Sequence, residues 1–128
     1  MNIWVLCVAC ITLIAFFAHV IVGTKETATL APRTADEKRT TNWVQAMCVF
    51  QMLSVDLLVV AVTLFAIAFI DIGPLERPAT LLLSLLFFIW GLVWVVQMKW
   101  LNRPAVTLWR LPHWVVWFFC SALLYLGG

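Results

Sequence analysis

Apolar residues occur in four long stretches separated by short polar segments. The stretches run from Ile3 to Val22, Trp43 to Ile70, Thr80 to Met98 and Leu111 to Leu126. Crossing a hydrocarbon core about 30 Å thick takes about 20 predominantly apolar residues in helical form. Both faces of each stretch are apolar, whereas a membrane strand would alternate over about 10 residues. The pattern predicts four transmembrane helices, about 3–22, 43–70, 80–98 and 111–126, of which the last is the shortest.

The overall composition supports this prediction. Hydrophobic residues make up 65% of the chain and charged residues 11%, whereas about a quarter of the residues in a soluble domain are charged. The first stretch lacks the basic start of a signal peptide, so we expect it to be retained as a helix. The expected fold is an all-α, polytopic four-helix bundle in which residues 1–128 form one transmembrane domain.

The basic residues predict how the chain is oriented. Of the eight Lys and Arg residues, seven lie in two stretches, 25–39 and 99–110, and only Arg77 lies elsewhere. Short loops rich in Lys and Arg stay on the cytoplasmic side. We therefore expect loops 23–42 and 99–110 in the cytosol, with the turn 71–79 and both termini outside. The lipid bilayer is the expected partner, and nucleic acid is not.

Turn and capping residues mark the expected helix ends. Thr41 or Asn42 is expected to cap the second helix, because their side chains accept hydrogen bonds from free backbone amides. Gly and Pro in the segment 71–74 indicate a helix stop and turn. Asn102-Arg103-Pro104 predicts a similar turn before the fourth helix.

One ionisable residue, Asp56, lies within an apolar stretch. Such a group costs about 2.5 to 3.5 kcal/mol to insert and is tolerated mainly when it faces the interior of a bundle. Counting residues along antiparallel helices brings Thr12, Trp90 and Ser121 to a similar depth, and each offers a hydrogen-bond donor. The pattern predicts an ion or proton site, or a buried contact for a partner. The alternative is a protonated or hydrogen-bonded Asp that sets helix register.

A second polar cluster is predicted near the cytoplasmic boundary. It contains His19 at the end of the first helix, His113 at the start of the fourth, and Gln51 and Gln97 toward the same side. Two His residues could ligate a haem or a metal, and His with Gln could bind a quinone headgroup. A metal site would normally show more ligands at closer spacing, so we assign no metal and no particular cofactor. A structural or lipid-facing cluster is the alternative.

The four cysteines raise the question of thiol redox chemistry. Cys7 and Cys10 form a C-V-A-C sequence, and Cys48 and Cys120 lie on other predicted helices. Spacing of i, i+3 within a helix is poor geometry for a disulfide, and the turn 71–79 contains no cysteine. Buried free Cys behaves as a small apolar residue, and that is the interpretation we favour.

Short sequence segments also suggest a family. The segments His19 to Glu26, Leu30 to Pro32, Leu53 to Asp56 and Leu111 to Trp114 resemble a family of small uncharacterised bacterial four-helix inner-membrane proteins. Members of that family tend to carry Gln where this chain has His113. The resemblance implies a bacterial inner-membrane location and supplies no activity.

Two classes of function remain open from the sequence. The first is a non-enzymatic accessory subunit or self-associating bundle, favoured because no catalytic motif is assembled and because small residues such as Ala9, Ala15, Gly91 and Ala122 permit close helix contacts. The second is a ligand-, quinone-, haem- or ion-handling protein that uses Asp56 or the His19, Gln51 and His113 cluster.

Overall fold

The computed structural model describes residues 1–33, 36–101 and 107–128, and every regular element in them is helical. The predicted all-α class is therefore confirmed, whereas the turn predicted at Asn102-Arg103-Pro104 lies outside the described residues. The elements in chain order are α1 (Ile3–Ala18), a π-helical segment (His19–Gly23), α2 (Thr24–Thr29), α3 (Glu37–Phe69), a 3-10 turn (Gly73–Leu75), α4 (Glu76–Leu101) and α5 (His113–Gly127).

Three continuous helical stretches are long and apolar enough to cross a membrane. They are Ile3–Thr29, Glu37–Phe69 and Gly73–Leu101. A fourth helix, His113–Gly127, is apolar but shorter. In lipid a helix satisfies its own backbone hydrogen bonds, which is why apolar stretches of this length adopt that form.

The helices extend beyond the apolar stretches that predicted them. The first continues through Thr29 instead of ending at Val22, and α3 begins at Glu37, six residues before Trp43. Hydrophobicity marks only the part of a helix that suits lipid. The backbone hydrogen bonds continue into polar sequence, where Glu, Lys and Arg are good helix formers.

The cap predicted for the second helix is wrong. Asp36, not Thr41 or Asn42, precedes α3, and its Oδ1 accepts a hydrogen bond from the backbone N–H of Arg39 at 3.1 Å. Thr41 lies inside the helix, where its hydroxyl donates to the carbonyl of Glu37. The capping geometry is that of an Asp at the N-cap position, whose side chain serves the third helical amide.

The described chain divides into two compact units. The central unit comprises Ala9–Leu64, and the terminal unit comprises Met1–Val8 together with Phe65–Gly128. The boundaries fall within α1 and α3, so neither unit is a separate stretch of sequence. The assignment of residues 1–128 to one domain stays a prediction.

The central unit is an antiparallel helical hairpin. His19 contacts Ser54, Thr24 contacts Gln51, and the indole of Trp43 donates to the carbonyl of Thr27. Residue numbers rise along the first arm as they fall along α3, which defines the antiparallel pairing. The buried residues of this unit are Ala9, Thr12, Ser54, Leu57, Val60, Ala61 and Leu64.

The terminal unit packs α4 antiparallel to α5. Phe87 is fully buried at its centre, and its ring lies 5.2 Å from that of Trp90 and 5.9 Å from that of Trp117. Gly91 allows the Phe118 ring to approach α4, because a Cβ at Gly91 would lie 2.8 Å from that ring. Aromatic side chains therefore fill most of this interface.

Asn2 ties four chain segments together at one end of the terminal unit. Its side-chain Nδ2 donates to Glu76 Oε1 at 2.8 Å and to the carbonyl of Gly127 at 2.6 Å. Its backbone N–H donates to the carbonyl of Ala68 at 3.1 Å. The start of the chain, the end of α3, the start of α4 and the end of α5 consequently meet there.

Candidate functional site

A closed set of hydrogen bonds links His19, Ser54, Gln51 and Thr24 in the central unit, and we call it the His19 network. His19 Nδ1 lies 3.0 Å from Ser54 Oγ, and Ser54 Oγ lies 3.4 Å from Gln51 Oε1. Gln51 Nε2 donates to Thr24 Oγ1 at 3.0 Å, and Thr24 Oγ1 donates to the backbone carbonyl of His19 at 3.5 Å. The network therefore starts and ends at His19.

The donor directions around the network favour one histidine tautomer. Ser54 has a single O–H to donate, and both the Gln51 side-chain oxygen and the Phe50 carbonyl can accept it. Every group is satisfied when Ser54 gives its proton to these acceptors and receives one from Nδ1–H of His19. In this assignment, made from the hydrogen bonds, Nδ1 of His19 carries a proton.

The π-helical segment explains how His19 and Thr24 come to share one face. The backbone N–H of Thr24 donates to the carbonyl of His19, five residues earlier. An α-helix would place residues five apart well around the axis from each other, whereas the wider π turn brings them nearly into line. The extra residue in the turn therefore aims both side chains toward α3.

The imidazole of His19 also stacks on an aromatic ring of α3. The His19 and Phe50 ring centroids lie 3.7 Å apart with an interplanar angle of 15°. Gly23 makes room for this pair, because a Cβ there would lie 2.7 Å from the edge of the Phe50 ring. Gly23 is also the last residue of the π-helical segment. The residue that ends the π turn is thus the one that leaves space for the stacked His19 and Phe50 rings.

The structure brings together two of the four residues of the predicted His and Gln cluster. His19 and Gln51 meet through Ser54, while Gln97 and His113 belong to the terminal unit. There both are exposed, and the His113 ring lies 4.5 Å from that of Trp94. The assignment of these residues to cofactor binding stays a prediction.

Asp56 lies on the exposed surface of α3. Among the described residues, none forms a hydrogen bond or ion pair with its carboxylate. Thr12, expected as a donor, is fully buried, whereas Asp56 is exposed. The Asp56 side chain is thus accessible to lipid or to another protein.

Ser121, placed by the sequence at the same depth as Asp56, has partners of its own in the terminal unit. Ser84 Oγ donates to the Ser121 carbonyl at 2.8 Å and lies 3.2 Å from the Ser121 hydroxyl. Both serines are buried. Trp90 packs against Phe87 and Trp117 in the same unit. The hydrogen bonds between Ser84 and Ser121 therefore join α4 to α5.

The cysteines are free thiols in this structure. Cys7, Cys10 and Cys48 are exposed and Cys120 is buried. Of the four, Cys120 alone is buried, where it packs as a small apolar residue. Within the described residues, no three His, Cys, Asp or Glu side chains are grouped closely enough to hold a metal ion.

The architecture and the apolar helices define a helical, multi-pass membrane protein. Comparison of the chain with protein-family models, with curated proteins and with solved structures finds no match.

Two members of the His19 network, Ser54 and Thr24, were not predicted as site residues, whereas His19 and Gln51 were. Ser54 and Gln51 lie three residues apart on one helix and so share a face, a signal that was present in the sequence. Thr24 carried no such signal, because its contact with Gln51 depends on the π-helical turn. The role of Asn2 was equally hidden, since its partners are up to 125 residues away in the chain.

Proposed function

We propose that the chain is a non-enzymatic membrane protein that serves as an accessory or self-associating subunit of a larger assembly. The observation that carries this proposal is the exposed position of Asp56 on a helix long enough to span a membrane. A carboxylate facing lipid is costly, whereas a carboxylate that pairs with a polar or charged group of another protein is tolerated.

The depth of Asp56 strengthens the argument. Asp56 is 13 residues from Trp43 and 13 from Phe69, the last residue of α3. At 1.5 Å per residue this is about 20 Å in each direction, more than half the thickness of a hydrocarbon core of about 30 Å. The short Asp side chain is unable to reach either interface from that position.

The His19 network supports the non-enzymatic part of the proposal. Its donors and acceptors are paired with one another, and they connect the first helical arm to α3. A buried polar network that is satisfied in this way rigidifies a fold.

The proposed setting is a bacterial inner membrane, with the helices forming a four-helix bundle. This follows the family resemblance in the sequence and the lopsided distribution of Lys and Arg, which favours cytosolic loops 23–42 and 99–110 with both termini outside.

Labelling of single-cysteine variants with a membrane-impermeant maleimide tests the orientation. In intact cells, Leu75→Cys should react and Leu30→Cys should not; the reverse result would invert the topology. Both positions are exposed in the structure.

Assembly is tested by measuring the mass of the protein extracted from its native membrane in mild detergent. The chain alone has a mass of 14.6 kDa, and we expect the wild type to migrate in a larger complex on native gels. Replacing Asp56 by Leu should release the monomer. The Leu residue favours membrane insertion by about 3 to 4 kcal/mol relative to Asp, so loss of the complex would not reflect poor insertion.

Val62→Leu is the matched control, because Val62 is an exposed apolar residue of the same helix. This variant should remain in the complex. A wild-type protein that is monomeric in its native membrane, or a complex unchanged by Asp56→Leu, would contradict the proposal.

A second candidate function is the binding of a quinone or haem at the His19 network. The observation that favours it is the π-helical turn at His19, because such turns occur frequently at functional sites. The test is the absorption spectrum of the purified protein together with mass spectrometry of its organic extract. A Soret band or a stoichiometric quinone that is lost in the Ser54→Ala variant would establish this function in place of the first.

A further inference from the structure

Asp56 belongs to a continuous exposed face of α3. We define the Asp56 face as Gln45, Val49, Met52, Asp56, Val59 and Thr63, all of which are exposed. The spacing alternates between four and three residues, which is the spacing of side chains along the seam between two packed helices. The apolar members are well exposed, with Val49 and Met52 each at 66%. The face is thus shaped to receive another helix.

The charge of the face determines what kind of helix fits it. Asp56 lies at its centre and is the only ionisable group on it. A helix packed here and carrying a Lys or Arg at the same depth would pair with the carboxylate and remove two charges from lipid together. A fully apolar helix would leave the carboxylate without a partner.

A second copy of this chain lacks that complement. Every Lys and Arg of the chain lies outside the four apolar stretches, and the nearest along α3 is Arg39, 17 residues from Asp56. Two copies with the same membrane orientation, related by a two-fold axis, present the same surface to each other. Asp56 would then face Asp56 of the other copy, and two nearby carboxylates disfavour each other's ionisation.

We infer that the Asp56 face binds a transmembrane helix of a different protein, one that carries a Lys or Arg near the middle of its span. The inference rests on the proposed accessory function and names the chemistry of the partner. The contact is an ion pair within the membrane, flanked above and below by apolar side chains of α3.

The probe is a synthetic helical peptide of Leu and Ala with one Lys at its centre, free of Trp and labelled with dansyl. Matched peptides carry Leu or Glu at the centre. Binding to the full-length protein in phosphatidylcholine vesicles is measured by energy transfer from the eight tryptophans of the chain. We expect the wild type to bind the Lys peptide about tenfold more tightly than the Leu peptide, a difference typical of one polar contact between membrane helices.

Two variants make the test specific. Asp56→Asn keeps the size of the side chain, and it should lose the preference for the Lys peptide. Asp56→Lys should prefer the Glu peptide, because the charges are then exchanged. Val62→Leu, which lies outside the Asp56 face, should behave as the wild type.

Each remaining outcome overturns the inference in a different way. Equal binding of the Lys and Leu peptides would show that the Asp56 face does not select a cationic helix. This conclusion would hold even if the native complex still depended on Asp56. Self-association of the purified protein that requires Asp56 and ignores the Lys peptide would assign the face to a second copy. Failure of the proposed function is distinguishable, because it appears on native gels as a monomeric wild type.

Discussion

Breaking the His19 network at Ser54 provides the sharpest test of what holds the central unit together. Ser54 is 4% exposed and lies at the junction of the network. Ser54→Ala removes the contact with His19 Nδ1 at 3.0 Å and the longer one with Gln51 Oε1 at 3.4 Å. The change removes one oxygen atom, so loss of packing is a small part of its effect.

The expected loss follows from the two contacts. A polar contact between membrane helices contributes about 0.6 kcal/mol on average and about 1.7 kcal/mol at most. The contact with His19 is short, and its loss leaves a half-buried ring nitrogen without the serine. The contact with Gln51 is near the limit for a hydrogen bond and contributes little. We expect the free energy of unfolding to fall by about 1 to 2 kcal/mol.

The measurement is reversible unfolding in mixed micelles of a mild detergent and sodium dodecyl sulfate, followed by circular dichroism. Thr63→Ala is the control, because the Thr63 hydroxyl is exposed and donates only to the Val59 carbonyl of its own helix. That variant should stay within about 0.5 kcal/mol of the wild type. A Ser54→Ala protein as stable as Thr63→Ala would show that the hydrogen bonds of Ser54 do not stabilise the central unit.

Cooperativity is tested by adding Gln51→Met, which removes the amide but keeps a side chain of similar length. The single change should cost about 1 kcal/mol through loss of the Thr24 contact. Because the two residues belong to one network, the double variant should lose less than the sum of the single losses. Strict additivity would show that the hydrogen bonds act independently.

Three further predictions concern the terminal unit; the first two use the same unfolding assay, and the third uses amide hydrogen exchange. Gly91→Ala places a Cβ 2.8 Å from the Phe118 ring and should destabilise the fold by about 1 to 3 kcal/mol. Ser84→Ala removes the bonds to the carbonyl and hydroxyl of Ser121 and should cost about 1 kcal/mol. Asn2→Leu removes three side-chain bonds, to Glu76, to the end of α5 and from the backbone N–H of Val5, and should accelerate amide hydrogen exchange at the first residues of the chain.

The first two changes are each checked by a second substitution, made at the residue that contacts the changed one. Adding Phe118→Leu to Gly91→Ala should recover part of the lost stability, since the smaller side chain relieves the close approach. Ser121→Ala added to Ser84→Ala should cost little more than the single change. An Asn2→Leu protein with unaltered exchange would show that the chain start is held by its backbone bond to Ala68 alone.

Protein class and the depth of Asp56 could both be predicted from sequence. Transfer of about 20 apolar residues into lipid is a local property that depends on composition, not on neighbours. Depth along a helix follows from counting residues at a constant rise. Helix ends were less accurate, as Glu37 and Thr29 show, because backbone hydrogen bonding continues where hydrophobicity stops.

Only the tertiary structure decided which way the polar side chains face. Asp56 faces outward although an interior position was expected, and His19 meets Ser54 and Thr24 through a π-helical turn. Apolar residues occur on every side of each long helix, so the sequence does not by itself distinguish the face that packs from the face that meets lipid. That choice is made by close packing and by pairing of polar groups between residues distant in the chain.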